Sequence, residues 1–261
     1  KILANDIQIN YELTGQEGTP VVMLSHSLAS SMVMWDPQLV SLESHFQVLR
    51  YDMRGHGGSD APQGAYTLEL LVEDAVALLD ALSIETVHFV GLSIGGMIGQ
   101  GLGLSHGYRL KSLTLCDTSA VMPNEAQPIL QERIAAARED GMTDQVEGTL
   151  ERWFTPQYLR ENPPAVEMIR QQIAATPLDG YIGCSEALRG LNYLERLAAI
   201  KLPTLIMVGE EDPGTPVAAS EAIHERIAGS RLVILPSARH LSNIEQSEAF
   251  NKSMMDFLLQ Q

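Results

Sequence analysis

Residues Val87 to Gly95 read VHFVGLSIG, and this segment indicates the fold class more clearly than any other part of the chain. Its first four residues form a short apolar run, typical of a strand buried on both faces of a sheet. The run leads into Gly91-Leu92-Ser93-Ile94-Gly95, a G-x-S-x-G pattern that precedes a helical stretch. A strand that turns sharply into a helix strains the residue at the apex, and glycines two positions to either side remove side-chain collisions. We therefore predict that Ser93 stands at this apex and acts as a nucleophile.

Similar apolar runs recur on both sides of this motif, and helical patterns separate them. Thr67–Leu82, for example, has apolar residues three and four positions apart, which form one apolar stripe. Residues 7–14 alternate apolar and polar, as an edge strand would. The alternation predicts an α/β fold with a mostly parallel central sheet flanked by helices. The predicted buried strands are Val21–Leu24, Val48–Tyr51, Val87–Val90, Leu113–Cys116, Leu205–Val208 and Leu232–Leu235.

The alternation of strands and helices stops after Thr118 and resumes at Leu202–Pro203. The residues between have helical periodicity and proline breaks but no convincing strand. We therefore predict a helical cap over residues 121–200, inserted into a core formed by residues 1–120 and 201–261. The predicted cap helices are Arg133–Arg138, Gln145–Phe154, Ala165–Ala174 and Cys184–Leu197.

A catalytic serine needs a base, because its hydroxyl alone is a poor nucleophile. In this kind of site the acid and then the histidine follow the serine in the chain. Only His106, His224 and His240 follow Ser93. His106 ends the helix after the motif and His224 lies within a helical pattern, so neither needs a catalytic role. His240 lies in a loop just past a predicted strand, and we predict that it is the general base.

The acid that orients the histidine should lie at the end of another strand. Asp212 follows the strand Leu205–Val208 in a turn closed by Pro213. One helix and one strand separate Asp212 from His240, and this single crossover brings both to the same edge of the sheet. We predict that Asp212 orients His240. The carboxylates that remain open as alternatives are Glu210, Glu211 and Asp117.

An oxyanion hole is expected beside the serine, made from two backbone N–H groups. One should come from the residue after the nucleophile, Ile94. The other should come from the loop Ser25-His26-Ser27-Leu28, which follows the first buried strand. We predict that the N–H groups of Leu28 and Ile94 bind the developing negative charge.

Composition limits the partners of the chain. The 261 residues carry a formal net charge of −16 at pH 7, which disfavours nucleic acid and anionic membrane surfaces. No apolar run reaches the roughly 18 residues of a membrane span, and the stretch KILANDIQIN lacks the features of a signal peptide. The two cysteines, Cys116 and Cys184, are too few for a disulfide framework, so we expect a cytoplasmic protein.

The motifs together resemble those of the 3-oxoadipate enol-lactonases, a group of α/β-hydrolases, over nearly the whole chain. RGHGGSD and the serine motif occur in many α/β-hydrolases, whereas the SHSL loop, WFTP and HLSN are closer to the lactonases. The resembling stretches are SHSLASSMVMWDPQ, FQVLRYDMRGHGGSD, VHFVGLSIGGMIGQ, LTLCDTSA, WFTP and ARHLSNIEQSEAFN.

The resemblance implies the α/β-hydrolase fold and a serine hydrolase that opens a small anionic enol-lactone, carboxymethyl-butenolide, to 3-oxoadipate in bacterial aromatic catabolism. It implies an acyl-enzyme cycle on Ser93, Asp212 and His240 with no metal or organic cofactor. Two positions depart from the pattern: Ile94 stands where many relatives have Met, and Arg239 where a small residue is common. Neither the motifs nor the resemblance indicates an oligomeric state.

The cap is expected to select the substrate. Trp153 and Phe154 are predicted to form an apolar wall, with simple packing of cap against core as the alternative. Because the implied substrate and the protein are both negative, a local arginine should receive the substrate carboxylate through its planar fork. We predict Arg189 for this role, while a salt bridge for Arg189, or Ser27 as the receptor, stays open. A broad carboxylesterase, with or without perhydrolase activity, and a non-catalytic ligand-binding protein are the competing functions.

Overall fold

The computed structural model describes residues 1–261, and a seven-stranded sheet forms its centre. The strands in chain order are β1 (Ile2–Ala4), β2 (Ile7–Ile9), β3 (Tyr11–Gly15), β4 (Val21–Ser25), β5 (Gln47–Tyr51), β6 (Val87–Leu92), β7 (Leu110–Cys116), β8 (Thr204–Gly209) and β9 (Arg231–Leu235). The central sheet has the order β3-β5-β4-β6-β7-β8-β9. Only β3 runs antiparallel to its neighbour; all other pairs are parallel. This is the mostly parallel sheet that the sequence predicted.

The edge strand predicted over residues 7–14 is wrong as a single strand. The structure divides it at Asn10 into β2, which pairs with β1 in a separate two-stranded sheet, and β3, which borders the central sheet. The backbone N–H of Asn10 donates to Ser59 Oγ, and its side-chain amide donates to Asp52 Oδ2. These bonds fix the chain at the break between the two strands, and no local sequence pattern predicts them.

Helices cover both faces of the central sheet. They are α1 (Asp36–Glu43), α2 (Leu68–Ala81), α3 (Ile94–Ser105), α4 (Ala126–Asp140), α5 (Val146–Trp153), α6 (Pro156–Glu161), α7 (Pro164–Ala175), α8 (Leu178–Arg189), α9 (Val217–Arg226), α10 (Ser242–Glu245) and α11 (Ser247–Leu258). Helix α2 begins where Thr67 Oγ1 accepts from the N–H of Leu70 at 3.1 Å, a cap that satisfies one unpaired donor. No helix combines the length and apolar character needed to cross a membrane.

Alternate residues of the strands enter two apolar clusters on opposite faces of the sheet. In β4, for example, Met23 belongs to one cluster, whereas Val22 and Leu24 belong to the other. Both clusters continue into the segment between β7 and β8. Helices cover both faces of such strands. The strands are therefore apolar on both sides, and continuous apolar runs in the sequence predict them.

Helices α4 to α8 form the segment between β7 and β8, which we call the cap. The predicted helix Cys184–Leu197 is wrong in its bounds: α8 begins six residues earlier, at Leu178 after Pro177, and ends at Arg189 before Gly190. The chain then turns, and Asn192 pairs with Val121 as an isolated antiparallel bridge. The two ends of the cap therefore meet beside the sheet.

Candidate active site

The serine motif forms a strained turn between β6 and α3. Ser93 has φ +59° and ψ −119°, a conformation that costs on the order of 1–3 kcal/mol for a residue other than glycine. A Cβ atom at Gly91 would lie 2.2 Å from the carbonyl oxygen of Gly95, and one at Gly95 would lie 2.3 Å from that of Ser25. Glycine is thus required at both positions. The N–H of Ser93 donates to the Cys116 carbonyl at 2.9 Å, which fixes the apex against β7.

Asp212 and His240 form a direct pair at the ends of β8 and β9. The distance between His240 Nδ1 and Asp212 Oδ2 is 2.7 Å, and both side chains are buried. Asp212 also accepts from the N–H groups of Gly214 at 2.8 Å and Thr215 at 3.0 Å, and from the Thr215 hydroxyl at 2.6 Å. The turn therefore fixes the carboxylate, and the carboxylate fixes the ring with its Nδ1 proton toward Asp212.

The electrostatics of this pair favour a charged imidazolium. Burial disfavours the charge on His240, but the negative charge of Asp212 and its hydrogen bond outweigh burial and raise the pKa of His240. Burial likewise opposes ionisation of Asp212, but His240 and the bonds from Thr215 lower the pKa of that carboxyl. Such a ring can accept a proton from a hydroxyl group, and Asp212 then stabilises the imidazolium that forms.

The alternative acids lie elsewhere. Glu210 and Glu211 are exposed. Asp117 is fully buried, but its carboxyl is bonded to the N–H of Gly209 at 2.8 Å and to the Ser242 hydroxyl at 2.5 Å, not to His240. Burial and the nearby charge of Asp212 raise the pKa of Asp117 well above its usual range. The geometry therefore favours Asp212 as the partner of His240.

The loop after β4 presents one free backbone donor. The N–H of Ser27 lies 3.3 Å from Met34 Sδ, that of Ala29 donates to His56 Nε2 at 3.0 Å, and that of Ser30 donates to the Ser27 carbonyl. Among these four consecutive residues, only Leu28 has an N–H without a partner. Ile94 is the first residue of α3, a position whose N–H has no intrahelical acceptor. Both predicted oxyanion donors are therefore available.

Two buried histidines hold this loop in place. His26 Nδ1 lies 2.7 Å from the Ser27 carbonyl and its Nε2 accepts from the N–H of Met53 at 2.9 Å. Burial lowers the pKa of His26 and, as the largest cause, lowers that of His56 to about 3, and the Nε2 of each ring accepts a hydrogen bond from a backbone N–H. Both rings are therefore neutral at pH 7, which lets each donate at one nitrogen and accept at the other.

Ser93, His240 and Leu28 line one cavity of about 540 Å³ between the sheet and the cap. Most of its wall is apolar, and Trp153 contributes to it, with its ring centre 6.2 Å from that of His240. The structure has no hydrogen bond between Ser93 Oγ and His240; in unliganded sites such contacts often tighten only when substrate binds. The predicted catalytic residues and Trp153 thus share one cavity. Phe154 does not line it: its side chain is fully buried and stacks on Tyr158, so the role predicted for Phe154 as part of the wall is wrong.

The cavity contains two arginines that the sequence did not single out for this role, Arg133 of α4 and Arg152 of α5. Neither forms an ion pair, and the only side-chain bond of Arg152 goes to Thr149 Oγ1 at 2.8 Å. Burial, and then the positive charge of Arg133, lower the pKa of Arg152. Two like charges without a counter-ion in a half-buried wall can attract an anion into the cavity. Seven arginines lie in the cap, and only the packing distinguishes these two.

Arg189 does not reach the cavity, so its predicted role as the receptor for a carboxylate is wrong. Its side chain is exposed, pairs with Glu186 at 2.9 Å and contacts Gln127. The neighbouring residue Leu188 lines the cavity instead. Successive residues of a helix point about 100° apart, so apolar neighbours in the sequence could not settle which way Arg189 points. Elsewhere, no group of three or more His, Cys, Asp or Glu side chains is arranged to hold a metal ion.

Comparisons with known proteins identify the family of the chain. The family model described as the alpha/beta hydrolase fold matches residues 20–247. A 3-oxoadipate enol-lactonase from Acinetobacter baylyi is 36% identical over 97% of this chain and 94% of its own length. The crystal structure of the enol-lactonase from Burkholderia xenovorans is 37% identical, with a TM-score of 0.95 and coverage of 98% of both chains.

A third relative is an esterase, whereas the first two are lactonases. A thermophilic esterase from Thermogutta terrifontis, solved with malate bound, is 29% identical, with a TM-score of 0.91 and coverage of 97% of this chain and 94% of the other. The matched fold, the lactonase relatives and the site geometry lead to one assignment. The chain belongs to the α/β-hydrolase fold family and, within it, to the carboxylic-ester hydrolases that include the 3-oxoadipate enol-lactonases.

Proposed function

We propose that the protein hydrolyses a small anionic enol-lactone, 3-oxoadipate enol-lactone, through an acyl-enzyme on Ser93. One observation carries the choice of substrate: the cavity that holds Ser93 and His240 also holds Arg133 and Arg152, which have no counter-ion. The lactonases of known name among the relatives act on an anion of this class, and the cavity offers both a nucleophile and a receptor for it.

In the proposed cycle, Ser93 Oγ attacks the lactone carbonyl while His240 Nε2 takes its proton. The N–H groups of Leu28 and Ile94 bind the oxyanion, and Asp212 stabilises the imidazolium. Collapse breaks the ring C–O bond and releases an enolate oxygen, a better leaving group than an alkoxide; His240 gives its proton to this oxygen to form the enol and becomes neutral again. Conversion of the enol to the ketone removes the nucleophile that could close the ring again. Water, activated by His240, then hydrolyses the acyl-enzyme to release 3-oxoadipate.

The two arginines supply local positive charge for an anionic substrate in a negatively charged protein. With a net charge of −16, the protein repels an anion at long range, so binding has to come from a local contact. Arg133 and Arg152 face the cavity from two different helices and repel each other in the absence of a ligand. A carboxylate between them removes that repulsion and gains charge-assisted hydrogen bonds, each worth on the order of 1.5–3 kcal/mol. Because the carboxylate at one end of the substrate is bound by the arginines, the lactone carbonyl at the other end is held beside Ser93.

The test compares the enol-lactone with its carboxamide, which has the same ring and no charge. We expect turnover of the lactone by the wild-type protein, and a loss of about 10- to 100-fold in kcat/KM for Arg152→Met or Arg133→Met on the anion only. Arg189→Met is the matched control and should change neither rate. Absence of lactone turnover, or an equal loss on both compounds, contradicts the proposal.

A broader carboxylesterase is the second candidate, because the esterase from Thermogutta terrifontis matches nearly the whole chain and the same catalytic groups would serve any accessible ester. The arginine pair separates the two functions. A general esterase should turn over neutral aryl esters as well as the lactone and should tolerate loss of both arginines. An enol-lactonase should prefer the anion by at least the factor that the arginines contribute.

A further inference from the structure

The loop that carries His240 is tied to the cap by a group of hydrogen bonds that the catalytic cycle does not use. We call this group the latch. Its members on the core side are Arg239, Leu241 and Glu245, and its members on the cap side are Glu151, Trp153 and Thr155. The cap residues lie at the corner between α5 and α6, and Glu245 ends the short helix α10.

The backbone on both sides of His240 is held by the latch. Before the histidine, the N–H of Arg239 donates to Glu245 Oε2 at 2.9 Å. After it, the N–H of Leu241 donates to the carbonyl of Trp153 at 3.1 Å. The position of the ring therefore depends on two bonds, one to Glu245 and one to the cap.

Glu245 joins these two parts. Its other oxygen, Oε1, accepts from the backbone N–H of Thr155 at 2.9 Å and also from the Thr155 hydroxyl. One carboxylate thus binds the residue before His240 and the cap residue two positions after Trp153. The cap wall at Trp153 and the catalytic ring, whose centres are 6.2 Å apart, are fixed to each other through this carboxylate.

The side chain of Arg239 adds a further connection. Its Nη1 donates to the carbonyl of Glu151, in the last turn of α5. Carbonyls at the end of a helix lack intrahelical donors and attract positive charge. Arg239, one of the two residues that depart from the lactonase pattern, thus has a structural role, since it ties the His240 loop to the end of a cap helix.

We propose that Glu245 is a positioning residue, which holds the His240 ring in the place it needs for proton transfer from Ser93 in the substrate complex. It acts through the latch and touches no substrate. Displacement of a catalytic group by about 1 Å can cost about 100-fold in rate. The 2.7 Å bond to Asp212 does not involve the latch, so loss of the latch should move the ring and leave its proton affinity unchanged.

Glu245→Gln is the diagnostic substitution. Both carboxylate oxygens accept from backbone N–H groups, so an amide must point its NH₂ at one of two donors. We expect kcat for an aryl acetate to fall about 10- to 100-fold, with the acid limb of the pH profile unmoved. Rates are expressed per serine titrated with a phosphonate, so a loss that comes only from unfolded protein does not count.

Glu248→Gln is the matched control, since it removes the same charge at an exposed position whose carboxylate makes no hydrogen bond, and it should leave kcat unchanged. Should Glu245→Gln fail to fold, Thr155→Val decides, because it removes one latch bond and keeps the backbone bonds of the latch; we expect a two- to fivefold loss. The change also removes the bond from the N–H of Tyr158 to Thr155 Oγ1 that caps α6, so its rate is again expressed per titrated serine. A wild-type kcat per titrated serine in the variant that folds, or a shifted acid limb, overturns the proposal.

The latch rests on the proposed chemistry at Ser93 and His240, and the two can fail separately. Turnover of the aryl acetate by Ser93→Ala would refute the acyl-enzyme and leave the latch without a reaction to serve. Loss of turnover in Ser93→Ala, together with full activity in Glu245→Gln, would refute the latch alone.

Discussion

Replacement of Asp212 by asparagine should abolish most activity without unfolding the protein. Two of the hydrogen bonds that Asp212 accepts, from the N–H groups of Gly214 and Thr215, go to Oδ1, and an asparagine oxygen can keep both. The other two, from the Thr215 hydroxyl and His240 Nδ1, go to Oδ2. An NH₂ at that position donates to Nδ1 and forces the ring proton onto Nε2.

A ring with its proton on Nε2 cannot accept a proton from Ser93. A wrong tautomer of this kind costs about 10⁴-fold in kcat, which corresponds to about 5.4 kcal/mol of transition-state stabilisation. The residual activity should have its acid limb at lower pH, because Asp212 is the group that raises the pKa of His240. The assay is the pH dependence of kcat and kcat/KM for an aryl ester.

Stability should change with pH in the same variant. A raised pKa for His240 stabilises the wild-type fold below the ordinary histidine value near 6.5, and this contribution is lost as the pH rises through the folded-state pKa. The lowered pKa of Asp212 stabilises the fold above its ordinary value and is lost as the pH falls. Asp212→Asn should therefore lower Tm more at pH 5.5 than at pH 9. Glu211→Gln is the control, and a larger loss of activity there than in Asp212→Asn would refute the assignment.

Two further substitutions test the surroundings of the site. Gly95→Ala should destabilise the fold by about 3 kcal/mol, a fall in Tm of roughly 6–12 °C, because the added Cβ would lie 2.3 Å from a backbone oxygen. Gly107→Ala is the control and should leave Tm unchanged, because a Cβ there has no neighbour within 4 Å. Equal melting temperatures for the two variants would contradict this prediction. Asp117→Asn should change kcat/KM less than twofold and leave the pH profile in place, because a neutral acid and an amide can both bond the Gly209 N–H and the Ser242 hydroxyl; a shifted acid limb would show that Asp117 is ionised.

The parts of the fold that the sequence predicted are those set by local pattern. The six predicted strands all lie within observed strands. Five of them are buried, because a strand covered on both faces has to be apolar throughout. The burial predicted for Leu232–Leu235 is wrong: it lies in β9 at the edge of the sheet, where Ile234 is exposed. The serine motif could also be predicted from the sequence, because its strained turn requires glycine at Gly91 and Gly95. Asp212 and His240 were chosen from their places after strands, and the structure brings them together.

The parts that the sequence did not predict depend on which way side chains point. Arg133, Arg152 and Arg189 have similar surroundings in the chain, and only the packing of α4, α5 and α8 turns the first two inward. The break at Asn10 depends on Ser59 and Asp52, which are more than 40 positions away. Contacts between distant residues leave no periodic signal, so neither could be read in advance.

The most direct test of the account is to look for the covalent intermediate. The protein is mixed with an aryl ester, quenched in acid within the first turnover, digested and measured by mass spectrometry. The account predicts an added acyl group on the peptide that contains Ser93, and neither adduct nor turnover in Ser93→Ala. Turnover without any adduct on that peptide, or undiminished hydrolysis by folded Ser93→Ala, would contradict it.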